Sequence, residues 1–414
     1  MSVAVFLQGP HGPFFARVAK RLSQHGVITH KINFNGGDRF FAWADFQEDF
    51  AGSEDDWPFF FRQYLLDKGA EAVFVYGDCR RYHATAREIC SSLQIPFCVF
   101  EEGYLRPDFV TLEWGGVNAF SQRDWSEETI NQYEPNGRQK GLPVGQTFWH
   151  RALFAIEYYL AMRFGQSEFP YYRHHRSRDW LEEGTNWLRS FVRKGLYKIT
   201  EHKLTDRLTS NLSQQFFLFP LQTRDDFQLR RHSDLLSIEN AIDVVLKSFA
   251  QNAPEGTVVV IKHHPMDRGF CHYQKLIDVL AERYSIVGRV IYCHDLHLPT
   301  LLDHARGVVT INSTVGISAL LHKVPTKVLG RALYDIPGLT HQGQLASFWS
   351  SPEKVDFTYF QRFHTYLYEQ TQIDGSFSKG IDKTIDGVIK HLQSVAVLAA
   401  QGPVSVETCS TDAV

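Results

Sequence analysis

The stretch FFLFPLQTRDDFQLRRHS, residues Phe216–Ser233, joins a hydrophobic run to a dense polar segment. The hydrophobic run ends at Pro220, and the polar segment after it includes Gln222 and the acidic pair Asp225-Asp226. A buried strand that opens onto polar residues is typical of α/β enzymes, because their ligands bind at the carboxyl ends of the strands. We therefore interpret this stretch as part of a ligand-binding site.

Two later hydrophobic runs end in the same manner. One is followed by Lys262-His263-His264-Pro265 and the other by Asn312-Ser313-Thr314-Val315-Gly316. The lysine and the imidazoles suit a phosphate or leaving-group oxygen, although two adjacent histidines are also compatible with a metal ion. The amides and hydroxyls of the second segment suit an anion, and its Ser or Thr can also cap the next helix, which is compatible with anion binding. Three polar strand ends in one half of the chain predict a single site.

Strand and helix patterns alternate at both ends of the chain. The predicted strands are Val3–Leu7, Val27–Phe34, Ala72–Tyr76, Phe97–Phe100, Phe216–Pro220, Val258–Ile261, Val290–Tyr292, Val308–Ile311 and Thr326–Leu329. Such alternation favours parallel, doubly wound sheets. We predict an α/β, GT-B-like fold in which two Rossmann-type domains face a cleft, with a helical insertion. Ligases, epimerases and binding proteins share this architecture, so it does not define a function by itself.

The pattern also predicts domain boundaries. Residues 1–120 and 212–345 are expected to form the two Rossmann-like domains. Residues 121–211 have few strand signals, many aromatic residues and clustered basic residues, which indicate a helical insertion. Residues 346–398 are predicted to be closing helices, and residues 399–414 a disordered tail because they are small and polar.

The composition is that of a globular protein, with 43% hydrophobic and 21% charged residues. The net charge of -3 argues against a nucleic-acid partner. No apolar run approaches the ~20 residues that span a bilayer, and the first residues lack the basic start of a signal peptide. The six cysteines form no C-x-x-C pair, so we expect free thiols in a reducing compartment, the cytoplasm.

Two motifs stand out in the N-terminal part. Gly9-Pro10-His11-Gly12 follows the first strand but is not G-x-G-x-x-G, so its glycines either let a ligand approach the backbone or form a tight turn. Glu101-Glu102 ends a later strand, and one of the two could be a general acid or base if it is partly desolvated. Adjacent side chains on a strand point to opposite sides, so only one is expected to face the cleft. The alternative is an exposed loop with an ion pair to Arg106.

A carboxylate in the polar segment after Pro220 could act as a nucleophile at an anomeric carbon. It could equally be a base, a metal ligand or a helix cap. The neighbouring Arg224, Arg230 and Arg231 would keep it ionised. The chain has no D-x-D motif, so we expect no metal and no other cofactor.

These elements together resemble the capsular polysaccharide biosynthesis proteins of the KpsS/LipB type, over the range from Phe6 to about Gly330. The shared elements are Glu101-Glu102-Gly103-Tyr104-Leu105-Arg106-Pro107, Pro220-Leu221-Gln222 through Asp226 to His232-Ser233, Lys262-x-His264-Pro265 and Asn312-Ser313-Thr314-Val315-Gly316. The resemblance implies a retaining β-Kdo glycosyltransferase. It implies that Kdo passes from CMP-Kdo to (lyso)phosphatidylglycerol during synthesis of the capsule lipid terminus, with the acceptor in the N-terminal domain and the CMP-sugar in the C-terminal one.

The resemblance also implies roles for particular residues. Related capsule Kdo transferases carry an aspartate nucleophile in the segment Gln-x-x-x-Asp, which corresponds here to Gln222 and Asp226. CMP-binding elements of bacterial sialyltransferases resemble the H-P and S-T segments. The expected catalytic residues are Asp226, Glu101, Glu102 and Gln222; the donor-binding residues are Lys262, His264, Pro265, Asn312, Ser313, Thr314 and Gly316; the substrate-binding residues are Gly9, His11, Gly12, Arg106, Arg230 and His232.

The stretch from Arg151 to Arg207 is rich in basic and aromatic residues. It is either an interface with anionic lipid or a set of packed helices with a solvated charged face. We expect a cytoplasmic protein bound peripherally to the inner face of the bacterial inner membrane, with other capsule biosynthesis proteins as further partners. A nucleotide-sugar epimerase, a transferase for another CMP-sugar such as a sialic acid, and a non-catalytic capsule assembly or export partner stay open as alternatives.

Overall fold

The computed structural model describes residues 2–173, 180–224, 235 and 237–394, which fold into two compact units. Unit 1 comprises Met1–Gln122, Arg138–Arg173 and Thr371–Val414, and unit 2 comprises Arg123–Gly137 and His174–Gln370. The segment 121–211, which we predicted as one insertion, therefore contributes residues to both units. Residues 371–394, predicted as part of the closing helices, belong to unit 1.

The described residues form twelve strands and fifteen α-helices. The strands are β1 (Val3–Phe6), β2 (Ile28–Asn33), β3 (Phe46–Asp49), β4 (Ala72–Tyr76), β5 (Phe97–Glu102), β6 (Phe109–Trp114), β7 (Phe216–Pro220), β8 (Val258–Lys262), β9 (Val290–Cys293), β10 (Gly307–Thr310), β11 (Thr326–Val328) and β12 (Gln372–Asp374). The helices are α1 (Phe14–Gln24), α2 (Gly36–Phe40), α3 (Trp57–Lys68), α4 (Arg81–Leu93), α5 (Glu127–Gln132), α6 (Phe148–Phe164), α7 (Trp180–Thr200), α8 (His202–Thr209), α9 (Ile238–Asn252), α10 (Gln274–Arg283), α11 (Leu298–His304), α12 (Val315–Leu321), α13 (Leu345–Ser350), α14 (Phe357–Thr371) and α15 (Ile381–Ser394).

Unit 1 is built on a seven-stranded sheet in the order β12-β6-β5-β4-β1-β2-β3. Its central strands carry continuous apolar runs, and the four residues Ala72–Val75 of β4 are fully buried. Such runs are expected where helices cover both faces of a parallel sheet. Phe6, Phe74 and Phe100 of three adjacent strands belong to one core with residues of α1 and α15.

One edge of the unit 1 sheet departs from the predicted parallel arrangement. Strand β6 is antiparallel to both β5 and β12. The six residues 103–108 that join β5 to β6 are too few for a crossover, which needs a dozen or more, so the chain must reverse direction. Glu101 and Glu102 extend β5 beyond its predicted end and pair with Thr111 and Val110.

Unit 2 contains a five-stranded, fully parallel sheet in the order β11-β10-β7-β8-β9. The strands β10, β7 and β8 are neighbours, so the three polar segments singled out in the sequence follow adjacent strands at one edge of the sheet. The predicted α/β class with Rossmann-like sheets is confirmed by both units. The carboxyl ends of these parallel strands are where ligands bind in such folds.

Candidate functional site

The carboxyl end of β5 carries Glu101, a half-buried acid. Its Oε1 accepts a hydrogen bond from the Glu102 amide at 3.0 Å. Because the surrounding protein desolvates the carboxyl group, and the charges of Glu102 and Asp78 add to this effect, the pKa of Glu101 is raised to about 7. Such a group can accept or donate a proton near neutral pH, so Glu101 is a candidate general base or acid.

Glu102 is engaged in a different set of contacts. Its Oε1 forms an ion pair with Arg151 of α6 at 2.6 Å and accepts a hydrogen bond from the Tyr76 hydroxyl at 3.3 Å. The alternative ion pair with Arg106 is wrong, since Arg106 is exposed and its Nε donates to the Gly103 carbonyl at 3.2 Å. Glu101 therefore has a raised pKa and no cationic partner within ion-pair distance among the described residues, whereas Glu102 is paired with Arg151.

The loop after β1 lies beneath α6. Gly12 has a φ of +111°, and a Cβ added there would lie 2.6 Å from Cδ2 of Phe154. The His11 ring stacks on Tyr158 with 4.4 Å between centroids. A Cβ on Gly9 would lie 2.9 Å from Cγ of Phe15. Close packing against Phe154 of α6 thus accounts for Gly12, and close packing against Phe15 of α1 accounts for Gly9. The roles predicted for Gly9, His11 and Gly12 in substrate binding stay predictions.

A buried polar cluster in unit 1 was missed by the sequence analysis. Gln8 Nε2 donates to Asp38 Oδ2 at 3.0 Å and to the Tyr172 hydroxyl at 3.1 Å. The Tyr158 hydroxyl donates to Asp38 Oδ1 at 2.9 Å, and Asn35 Nδ2 donates to that hydroxyl at 2.9 Å. Three of these four bonds join residues that are 120 to 164 positions apart, so they leave no local pattern. The one available signal was a glutamine directly after an apolar strand.

In unit 2, the ends of β7 and β10 are joined by a pair of amide side chains. Gln222 Nε2 donates to Asn312 Oδ1 at 2.8 Å, and the Asn312 backbone amide donates to Gln222 Oε1 at 3.1 Å. Gln222 is buried, so these bonds satisfy both ends of its amide. The structure therefore brings together two residues that follow different strands in the sequence. The contact with Asn312 fixes the position of the Gln222 side chain.

The end of β8 presents Lys262, His264 and Pro265. Lys262 is buried, its Nζ donates to the His294 carbonyl at 3.2 Å, and burial lowers its pKa. His264 is half-buried and its Nδ1 accepts the Met266 amide at 3.2 Å, which caps the short 3₁₀ turn Pro265–Asp267. The two predicted donor-binding side chains thus lie on one strand end, with Lys262 the more enclosed of the two.

A second set of contacts beside Lys262 was also missed. His294 follows β9, and its Nδ1 lies 2.6 Å from Glu201 Oε1. Its ring stacks on Tyr197 with 3.7 Å between centroids. Glu201 lies 93 residues before its partner, between α7 and α8, so no spacing rule connects them. This carboxylate–imidazole pair fixes the backbone carbonyl to which Lys262 donates.

The segment after β10 is held by local contacts. Ser313 Oγ accepts the Val315 amide at 3.2 Å, which favours the capping interpretation for this hydroxyl. The Tyr334 hydroxyl donates to the Ser313 carbonyl at 2.5 Å, and Gly316 leaves no room for a Cβ against the same phenol. Thr314 is half-buried and makes no side-chain capping bond. Its predicted contact with a nucleotide stays a prediction.

Residues 225–234 lie outside the described residues, and among them are Asp225, Asp226, Arg230, Arg231 and His232. Their roles stay predictions. The last residue described before them is Arg224, whose amide donates to Asp267 Oδ2 at 2.6 Å. This bond ties the start of the segment to the turn that follows β8.

Three further observations concern the part of the chain that the structure describes. It contains no group of three or more His, Cys, Asp or Glu residues arranged to hold a metal ion. None of its helices has both the length and the apolar character needed to cross a membrane. Its cysteines, Cys79, Cys90, Cys98, Cys271 and Cys293, are free thiols, as predicted.

Comparison with known proteins identifies relatives over most of the chain. The family model described as "Capsule polysaccharide biosynthesis protein" matches residues 71–378. The chain is 40% identical over 384 residues to the "Capsule polysaccharide export protein KpsS" of Escherichia coli, which covers 90% of this chain and 96% of that protein. It is also 40% identical over 380 residues to the "Capsule polysaccharide modification protein LipB" of Neisseria meningitidis serogroup B, covering 90% of this chain and 91% of that protein.

Among solved structures, the chain is similar to "Thermosulfurimonas dismutans KpsC, beta Kdo 2,7 transferase". The identity is 12% and the TM-score is 0.44, with 94% of this chain and 99% of that chain covered.

Proposed function

Since the chain belongs to the family of capsule polysaccharide biosynthesis proteins, we propose that it is a retaining β-Kdo glycosyltransferase. It moves Kdo from CMP-Kdo to a (lyso)phosphatidylglycerol acceptor in the synthesis of the capsule lipid terminus. The observation that carries this proposal is 40% identity over 90% of the chain to proteins named for capsule polysaccharide modification and export. Glu101, with its pKa near 7, supports an enzymatic role because such a group suits proton transfer.

The proposed reaction is a double displacement through Asp226. The Asp226 carboxylate attacks the anomeric carbon of Kdo, the bond from that carbon to the phosphate oxygen breaks, and CMP leaves with the electron pair. The acceptor hydroxyl then attacks the same carbon, the bond to Asp226 breaks, and Glu101 takes the hydroxyl proton. Two inversions give net retention of configuration.

The donor nucleotide is assigned to the edge of the unit 2 sheet, where Lys262, His264, Ser313 and Thr314 follow neighbouring strands. A cationic ammonium and an imidazole can stabilise the charge that develops on the leaving phosphate. The Glu201–His294 pair fixes the carbonyl that holds the ammonium of Lys262. A phosphate monoester leaving group can be stabilised in this way by side chains alone.

We predict that His264→Ala and Lys262→Met each weaken CMP binding by about tenfold or more, because each removes a charge-assisted contact to phosphate. Methionine keeps the packing volume of the buried lysine. Isothermal titration calorimetry with CMP measures the effect, and Lys275→Met, on the exposed side of α10, is the matched control. Unchanged affinity in both site variants would place the nucleotide elsewhere.

A non-catalytic capsule assembly or export role is the second candidate, and it is favoured by the name "export protein" of the Escherichia coli relative. A donor screen separates the two. The purified protein is incubated with CMP-Kdo, CMP-sialic acid or UDP-N-acetylglucosamine and a short-chain phosphatidylglycerol, and products are identified by mass spectrometry. Kdo-lipid formed only from CMP-Kdo supports the transferase. No turnover with any donor supports the export partner.

Metal independence is a separate prediction for the same assay. Activity is expected to stay within about twofold in excess EDTA, because cationic side chains are proposed to stabilise the monophosphate leaving group. Loss of activity that Mg²⁺ or Mn²⁺ restores would contradict this and would make Asp225 and Asp226 candidate ligands.

The acceptor lipid is proposed to be reached through the exposed face of α7. Five apolar side chains on this helix are each more than half exposed and recur at intervals of three and four residues: Leu188, Phe191, Val192, Leu196 and Ile199. Lys194 and Lys198 are exposed on the same helix. An apolar stripe beside basic residues is the composition of a helix that lies on an anionic membrane surface.

Two basic residues of α7 have another role. Arg189 donates to the Gly269 carbonyl at 3.2 Å and Arg193 donates to the Arg268 carbonyl at 2.7 Å. They hold the helix to the loop after β8, so replacing them would disturb unit 2. A test of membrane binding must therefore use the two lysines instead.

We predict that Lys194→Gln combined with Lys198→Gln lowers binding to phosphatidylglycerol vesicles by about 30-fold, since each basic residue near the surface contributes about 1 kcal/mol. Co-sedimentation measures the effect, which should shrink at 1 M salt, where the Debye length is roughly 3 Å. The control is Lys383→Gln with Lys390→Gln on α15. Equal binding of both double variants would mean that another surface meets the lipid.

A further inference from the structure

The loop Gly77–Arg80 after β4 is held rigidly from both sides. His83 Nδ1 lies 2.6 Å from the Gly77 carbonyl and therefore donates to it, and the His83 side chain is fully buried. Asp78, also buried, accepts the Val117 amide at 3.0 Å and the Cys79 thiol at 3.2 Å. Gly77 has a φ of +72°, a conformation that glycine adopts without strain.

Arg80, at the end of this loop, presents a cation that has no hydrogen-bonding partner among the residues that the structure describes. Its guanidinium lies 5.1 Å above the Tyr76 ring and is half-buried. In the described ranges, the guanidinium forms no hydrogen bond and no ion pair. The two nearest arginines in the sequence, by contrast, form ion pairs: Arg81 with Glu54 at 3.1 Å and Arg87 with Asp78 at 3.8 Å.

The groups around Arg80 make the site suitable for an anion. The positive charge of Arg80 acts on Glu101, Tyr158 and Tyr172. It lowers the pKa of each group, although burial raises these pKa values by more. Glu101 has a pKa of about 7, so it is only partly ionised near neutral pH. Asp38, the acid that the two tyrosines and Gln8 surround, already accepts hydrogen bonds on both oxygens. Among the described residues none of these acids forms an ion pair with Arg80, so the guanidinium donors are available to an anion.

We propose that Arg80 binds a phosphate group, and that under the proposed function this phosphate is the phosphodiester of the acceptor lipid. A guanidinium presents a planar fork of donors that matches two phosphate oxygens, and stacking on an aromatic ring fixes the plane of that fork. His83 and Asp78 already hold the loop in one conformation, so the loop loses little conformational entropy when the ligand binds. Phosphate binding at Arg80 would bring the acceptor to unit 1, close to the proposed base Glu101.

The test is direct binding, with no turnover required. Short-chain phosphatidylglycerol, inorganic phosphate and CMP are each titrated by calorimetry into the full chain and into Arg80→Gln, Arg80→Lys and Arg81→Gln. Arg80→Gln is expected to weaken phosphatidylglycerol binding tenfold or more and to leave CMP binding and the Tm unchanged. Arg80→Lys should recover part of the loss, since it keeps the charge without the fork. Arg81→Gln should match the wild type.

The outcomes separate this proposal from the proposed function. Loss of lipid binding in Arg80→Gln supports the site even if the donor screen shows no Kdo transfer. Loss of inorganic phosphate binding alone, with lipid binding unaffected, would overturn the acceptor assignment and identify a free phosphate site. Unchanged affinity of Arg80→Gln for both ligands would overturn the proposal.

Discussion

Replacing Asp226 by alanine is expected to lower Kdo transfer by roughly 10³-fold or more, because the proposed mechanism has no route to a retained product without the covalent intermediate. The Tm is expected to stay within a few degrees of the wild-type value. Initial rates with CMP-Kdo and short-chain phosphatidylglycerol measure the first effect, and thermal unfolding measures the second.

The adjacent Asp225 provides a matched control for this assignment. Asp225→Ala should retain most of its activity, since only one of two neighbouring carboxylates is proposed to attack the sugar. Incubation with CMP-Kdo in the absence of acceptor should add the mass of one Kdo residue to the wild-type chain, and peptide mapping should place it on Asp226. Wild-type turnover by Asp226→Ala, or an adduct on Asp225, would show that the nucleophile is a different residue.

Replacing Glu101 by glutamine is expected to lower kcat by about 10²- to 10⁴-fold, the usual contribution of a general base. The base must be ionised, and the pKa of Glu101 is raised to about 7 by desolvation. Wild-type activity should therefore rise as the pH increases through about 7, and the residual activity of Glu101→Gln should lack that rise. Glu102→Gln is the control, because it removes the partner of Arg151 and keeps the proposed base.

The same substitution has a predictable effect on stability. The pKa of Glu101 in the folded protein, about 7, lies above its ordinary value of 4.5, so the unfolded chain releases this proton first as the pH rises. The folded state therefore loses relative stability between about pH 4.5 and pH 7. Glutamine at 101 removes that loss, and the variant should unfold at a higher temperature than the wild type at pH 8. A variant that is less stable than the wild type at pH 8 would contradict the raised pKa of Glu101.

The features that the sequence predicted well depend on local patterns. The strand Ala72–Tyr76 was predicted to the residue, and most other strands to within two, because buried parallel strands are short apolar runs bounded by polar residues. The adjacency of Gln222 and Asn312 followed from a general property of parallel sheets, whose carboxyl ends lie at one edge. Edge strands such as Phe46–Asp49 were missed, since this strand is exposed along its length and carries no apolar run.

The features that the sequence did not predict depend on contacts between distant segments. Glu201 and His294 are far apart in the chain, and neither stands in a motif. Arg80 and Arg81 are adjacent and chemically identical, yet one pairs with Glu54 and the other has no such partner among the described residues. The different surroundings of Arg80 and Arg81 result from the fold, and the sequence does not reveal them. Gly12 stands out in the sequence, but the helix that packs on it begins more than 130 residues later.

The return of the chain from unit 2 to unit 1 has a consequence for the order in which the protein is made. Strand β12 completes the sheet of unit 1 by pairing with β6, and α15 adds Ile385 and Val388 to the core around α1. During translation, β12 and α15 leave the ribosome only after all of unit 2 has been synthesised. Until then β6 is an edge strand with one unpaired side, and α15 does not yet cover the apolar face of α1. Nascent chains with such exposed edges and apolar surfaces bind chaperones or each other. Unit 2 can therefore finish folding first, although unit 1 begins the chain.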